Sequence, residues 1–177
     1  MKAWTWERRE GFTPSAMSVE EAIKTAVAEP LGPVVLADVA DNPGGGTPCD
    51  GTALLWGLLD LGATNAAIGP IDDPEVVEIA YNAGIGKEIS CELGAKTDDL
   101  YGYPIPVVAE VVNLTDGRFT YEGPMRTGHR GWLGRAAVLH IARDDLRRLL
   151  DEIPALRETM DQTVARHVPG AAADGSS

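Results

Sequence analysis

One stretch of this chain concentrates residue types that do chemistry. Between Asp38 and Thr52 lie three consecutive glycines (Gly44, Gly45, Gly46), the carboxylates Asp38, Asp41 and Asp50, the amide Asn42, the hydroxyls Thr47 and Thr52, and Cys49. An apolar run, Val34-Val35-Leu36-Ala37, precedes it, and the leucine-rich segment Leu54 to Leu61 follows. A glycine loop between a strand and a helix start lets backbone amides crowd around an anion, helped by the positive end of the helix dipole. The other reading is a tight turn whose glycines satisfy positive φ angles. The loop lacks the Gly-Lys-Ser/Thr of a phosphate-binding P-loop and the GxGxxG of a dinucleotide fold.

Other reactive types are dispersed. His129, His140 and His167 are far apart and form no His-Glu-x-x-His pattern, whereas catalytic zinc takes three close N or O ligands and an open fourth position. No zinc is expected on this chain alone. Cys49, near a helix start, has no histidine in its own motif, and with Cys91 it reads as a free thiol suited to a reducing cytoplasm. Arg126, His129, Arg130 and Arg135 make a local basic patch, read as a solvated loop or as a feature steering a carboxylate substrate.

The elements that must position these groups follow from local signals. Ser18-Val19-Glu20-Glu21 is a capping box opening a helix that runs to Ala28 and stops at Pro30, Gly32 and Pro33. Val34 to Ala37 reads as a strand buried on both faces, with a helix after the glycine loop that Asp50 would cap and Gly62 would end. A second strand near Asn65 to Ile71 leads to Asp73-Pro74-Glu75, a cap with proline at the first helical position, and a helix ending before Gly84. Two such units imply a parallel βαβα core with a right-handed crossover.

After Gly86 the period changes. Ile89, Cys91 and Leu93 alternate with polar residues; Val107–Leu114 and Arg118–Glu122 flank Thr115-Asp116-Gly117, a hairpin signal; Arg135–Ile141 is a further strand. The expected architecture is therefore α/β: a parallel core, a mainly antiparallel β extension and a helical tail. Leu146, Leu149, Leu150, Ile153, Leu156 and Met160 give residues 143–168 an amphipathic helical spacing, and residues 169–177 have a disordered composition.

Composition limits the classes of function. The chain has 177 residues, 44% of them hydrophobic, enough for a single globular core. Its net charge of −12 repels phosphate backbones, which excludes nucleic acid as a partner. No apolar stretch approaches the roughly 20 residues of a membrane helix, and the charged, aromatic N-terminus has no secretory pattern, so a cytoplasmic protein is expected.

The motifs, taken together, resemble the C-terminal domain of the MlrC (microcystin degradation) family of metallopeptidases. The resemblance is carried by Val34 to Gly46 with Asp50-Gly51-Thr52, by Trp6-Glu7-Arg8-Arg9-Glu10 upstream, and by Asp73-Pro74-Glu75 and Ala83-Gly84-Ile85-Gly86. Leu93-Gly94-Ala95-Lys96-Thr97-Asp98, Asp116-Gly117-Arg118-Phe119 and Glu122-Gly123-Pro124-Met125 extend it, so that residues 1–142 form the family-like domain. Beyond Ile141 the chain departs from the family, running into Arg143-Asp144-Asp145-Leu146.

The resemblance implies a zinc-dependent peptidase or amide hydrolase whose metal ligands lie in an N-terminal domain that this chain does not carry. It implies that Asp41 and Asn42 act at an interdomain cleft, and that Asp38, Pro43, Gly44, Gly45, Gly46, Asp50 and Thr52 help to hold a small peptide or amide substrate. Catalysis would then need the metal-binding domain, supplied as a separate chain or lost. The alternatives are a non-catalytic module binding a small ligand or anion, and a truncated remnant.

Overall fold

The computed structural model describes residues 2–12 and 16–142. The expected tail helix (143–168) and disordered end (169–177) lie outside the described residues.

Helix α1 (Lys2–Glu7) and a 3-10 turn (Arg9–Phe12) open the chain, and α1 buries no residue. Helix α2 (Val19–Ala28) begins at the expected capping box: the Ser18 hydroxyl accepts the Glu21 amide, and the Glu21 carboxylate accepts the Ser18 amide at 3.1 Å. Helix α3 (Ala53–Asp60) and helix α4 (Pro74–Ala83) follow. Asp73 caps α4 by accepting the Val76 amide at 3.1 Å, with Pro74 in the first turn and Gly84 at the end. Gly62 takes the positive φ that lets the chain leave α3.

The sheet comes from the second half. Strands β1 (Glu88–Leu93), β2 (Ile105–Thr115) and β5 (Ala136–Ile141) form an antiparallel sheet in the order β1-β2-β5. Along β2, Ile105, Val107, Ala109 and Val111 are buried at a spacing of two, placing one face of the central strand in the core. Helices α3 and α4 cover that face through Leu55, Trp56, Val76 and Ala80, which pack with Ile89 and Leu93. Helix α2 joins through Ile23, close beside Gly57 of α3, where a Cβ would meet the Ile23 side chain at 2.8 Å.

Two expectations fail. The parallel βαβα core is not formed, because every strand pairing among the described residues is antiparallel. Residues 33–37 and 65–69 form no strand, and no backbone hydrogen bond joins either segment to a neighbour among the described residues; Asn65 turns instead at φ +54°. Val34, Val35 and Val39 stand exposed, Val35 at 84%. A continuous apolar run records that something must cover it, and nothing described here does.

The second failure is at Asp116-Gly117. Gly117 does take a positive φ, but the turn does not fold β2 back on β3 (Arg118–Thr120). The far end of β2 pairs with β5 instead, Thr115 opposite Ala136, and β3 pairs with β4 (Arg130–Trp132) as a separate two-stranded ribbon inserted between them. The longer, more apolar β5 wins the edge of β2, since pairing there also extends the packed face.

Candidate functional site

Thr52, fully buried, sits at the start of α3 and donates its hydroxyl to the Tyr103 carbonyl at 2.7 Å. The amides of Thr52 and Ala53 both donate to the Tyr101 carbonyl, at 3.0 and 3.2 Å. Those first-turn donors, orphans in an isolated helix, are thus satisfied by the connection between β1 and β2. Asp50 does not cap α3 as expected. Its carboxylate, in a residue only 4% exposed, accepts the amides of Lys96 and Thr97, each at 3.0 Å, and its carbonyl accepts the Ala95 amide at 2.6 Å.

Residues 94–103 therefore strap the segment 50–53 from two sides. Gly94 and Gly102 have positive φ and lie against Thr52; a Cβ on Gly94 would stand 2.6 Å from the Thr52 methyl and 2.7 Å from the Asp50 carbonyl. Asp73 ties the strap to α4: beyond its cap bond it accepts the Gly94 amide at 2.9 Å and the Lys96 ammonium at 3.1 Å. Lys96 also reaches Glu75 at 2.8 Å. Partial burial opposes the lysine charge, but the bonds to Glu75 and Asp73 outweigh it and hold the Lys96 pKa above the ordinary lysine value.

In front of this scaffold lies the glycine loop. Asp41 is 9% exposed, and both its oxygens are engaged: one accepts the Cys49 amide at 2.8 Å, the other the Gly51 amide at 2.6 Å. The carboxylate pins the two ends of the loop together. Gly51 fits because a Cβ there would stand 2.9 Å from an Asp41 oxygen. Asp38 closes a smaller turn by accepting the Ala40 amide at 2.9 Å.

Asn42 accepts the Gly44 amide at 2.9 Å through its side chain and the Gly45 amide at 2.7 Å through its backbone, and the Gly46 amide donates to Pro43 at 3.0 Å. Pro43–Gly45 is thereby a 3-10 turn, ended by Gly46 at φ +90°. The amides that would cradle an anion are already donating inside the loop, so the geometry is that of the tight turn. Helix α3 offers no substitute at Thr52 and Ala53, whose amides Tyr101 takes.

The candidate residues thus divide. Asp38, Asn42, Pro43, Gly44, Gly45 and Gly46 share one exposed loop, while Asp41, Asp50 and Thr52 lie buried behind it, holding backbone amides or carbonyls. The loop does not sit at the end of a buried strand, because residues 34–37 are not in a sheet. Sequence reading missed the parts played by Asp73, Lys96, Tyr101 and the strap glycines. The signal was the run Leu93 to Asp98, in which glycine and lysine stand near carboxylates without a local use for them.

Cys49 has a thiol whose pKa is pushed up, first by partial burial and then by Asp41, Asp72, Asp50 and Asp38 around it. That is opposite to what a thiolate nucleophile requires. As for metal, no three His, Cys, Asp or Glu side chains gather as a ligand set among the described residues. Asp41 and Asp73 engage both carboxylate oxygens and Asp50 one, with backbone amides and, for Asp73, Lys96, and no histidine stands with them, so these donors do not fit a zinc ion. No helix among the described residues is long and apolar enough to cross a membrane.

Three comparisons bear on this arrangement. A family profile described as MlrC C-terminus matches residues 36–149. Microcystinase C of Sphingomonas sp is 37% identical over 94 residues, which are 53% of this chain and 18% of that protein. The solved structure of a candidate metallopeptidase from Mesorhizobium sp. BNC1 superposes with a TM-score of 0.64 at 26% identity, covering 78% of this chain and 28% of that one. The chain therefore spans less than a third of either relative.

Proposed function

Because the chain belongs to the MlrC family through its C-terminal domain, we propose that it is the substrate-positioning part of a zinc-dependent peptide or amide hydrolase that is inactive without a metal-binding region. The observation that carries this reading is the contrast within one structure. The loop Asp38–Gly46 is pinned through Asp41 to the segment after it, which the strap in turn holds through Asp50 and Asp73, yet no metal-ligand set gathers among the described residues. Rigid support of an exposed loop is what orienting a substrate demands, and generating a metal-bound nucleophile is left to another region.

Exposed apolar residues supply the surface for that region. Val34, Val35 and Val39 lead directly into the loop, and Trp4, Trp6, Phe12 and Met17 are exposed in the N-terminal segment. Apolar residues exposed as a group are the kind of surface that a contact area uses. Cytoplasmic location and a small linear peptide or amide substrate complete the reading. In it Asn42, on the open side of the loop, orients the substrate, and Asp41 acts through the loop rather than on the substrate.

The test is association in trans. Sedimentation velocity of this chain with the separately produced metal-binding region of an MlrC-family protein should show a faster 1:1 species, weakened by Val35→Asp. Asn42→Ala should leave that species intact and lower its kcat/KM on a linear peptide by about tenfold or more. Absence of any complex at tens of micromolar protein would overturn the reading.

A further inference from the structure

The chain is electrically lopsided. Residues 10–115 contain three lysines, no arginine and seventeen Asp and Glu, whereas residues 116–135 contain four arginines, one histidine and two acids. The structure gathers the second stretch in and around the β3–β4 ribbon. The ribbon leaves the sheet at a neck where Gly117 and Gly134, both at positive φ, abut so closely that a Cβ on Gly117 would collide with the Gly134 carbonyl.

Its two faces differ. The register sets Arg118 opposite Trp132 and Thr120 opposite Arg130, so alternation puts these four side chains on one face and Phe119 with Gly131 on the other. The second face is closed on itself, with the Phe119 ring against Gly131 and edge-on to Tyr121 at 4.9 Å. The first is open. Trp132 is 71% exposed, yet its indole is fixed by a 2.9 Å bond from Nε1 to the Asp116 carbonyl. Toward the tip stand Arg126, over the Tyr121 ring at 6.0 Å, and Met125, 81% exposed.

Two of the four arginines are answered: Arg118 by Asp116 at 3.6 Å and Arg135 by Glu78. Arg126 and Arg130 meet no carboxylate among the described residues. We propose that the Arg118–Thr120–Arg130–Trp132 face docks a carboxylate-rich peptide, with Arg126 at the tip of the ribbon as a further cation. The guanidinium groups take acidic side chains, and the fixed indole takes an apolar one. Charge complementarity selects this occupant. The ~10 Å screening length at 0.1 M salt makes the local charge decisive, and the acidic stretch 10–115 repels the same peptide.

The proposal rests on the reading of this chain as part of a peptide hydrolase only in treating the bound peptide as substrate. Binding is scored without hydrolysis. If acidic peptides bind but the metal-binding region restores no activity, that reading alone fails.

The experiment is fluorescence anisotropy with a fluorescein-labelled decapeptide of alternating Glu and Leu, beside the same peptide with Gln for Glu. The Glu peptide should bind the full chain at least tenfold more tightly, with an affinity that falls as salt rises. Arg126→Glu with Arg130→Glu should weaken it tenfold or more, with Arg126→Gln and Arg130→Gln intermediate. Trp132→Ala should weaken both peptides without changing the salt dependence. Arg8→Glu with Arg9→Glu, at the N-terminal arginine pair, should change nothing. Equal affinity for the two peptides, or equal loss from the Arg8 and Arg9 substitutions, overturns the proposal. So does salt-sensitive self-association abolished by the Arg126 and Arg130 substitutions in the absence of peptide binding, because the occupant is then a second copy of the chain.

Discussion

Replacing Asp41 separates its two conceivable roles. Its carboxylate accepts two amides, from Cys49 at 2.8 Å and Gly51 at 2.6 Å, and the residue is nearly buried. A hydrogen bond to a charged group contributes roughly 1.5–3 kcal/mol. Cys49 and Gly51 are only half-buried, so water reaches part of what Asp41→Ala would leave open. The net loss is then about 2–4 kcal/mol, near a 4–16 °C fall in midpoint at the roughly 2–4 °C per kcal/mol of a domain this size. Asp41→Asn keeps one acceptor oxygen and should lose about half as much. Urea unfolding followed by far-UV circular dichroism reads both variants, and amide exchange at Cys49 and Gly51 should accelerate in step with the lost stability. An Asp41→Ala protein within about 0.5 kcal/mol of the parent would refute the clamp and return Asp41 to a direct part in the chemistry.

Two further outcomes follow from the same scaffold. Gly94→Ala forces a Cβ at positive φ to 2.6 Å from Thr52 and 2.7 Å from the Asp50 carbonyl, so it should cost more than about 3 kcal/mol, read by the same unfolding experiment. Burial and the surrounding aspartates raise the Cys49 pKa, and because only the thiolate reacts, alkylation by iodoacetamide should lag a free thiol at pH 8 and climb only above pH 9. Peptide mapping of the alkylated site checks this; a Cys49 faster than free cysteine at pH 8 contradicts it.

What the sequence reveals depends on how local the controlling chemistry is. The Ser18 box, the Asp73-Pro74 cap and the Ile89-Cys91-Leu93 alternation were legible, because each is decided within a few residues. Val34–Ala37 misled because an apolar run states a need for cover without naming what supplies it. Asp116-Gly117 correctly marked a turn, but which strand takes the edge of β2 is a contest between segments, won by β5 some twenty residues on. Asp50 looked like a helix cap because it precedes α3, while its partners Lys96 and Thr97 are 46 and 47 residues away. The site loop was visible as a concentration of residue types. That its amides are spent within Asn42–Gly46 was one of the two readings the residues allowed; that Asp50 faces inward depends on the strap, signalled only by the glycine and lysine of Leu93 to Asp98 that have no local use.

The central claim is that this domain orients substrate while another region supplies the metal and the nucleophile. The direct measurement is the rate of hydrolysis of a linear peptide by the chain alone, by the chain mixed with the metal-binding region of an MlrC-family protein, and by that mixture with a chelator. The account predicts turnover only in the untreated mixture, well above what the metal-binding region achieves by itself. Hydrolysis by the purified chain alone in the presence of the chelator would contradict it.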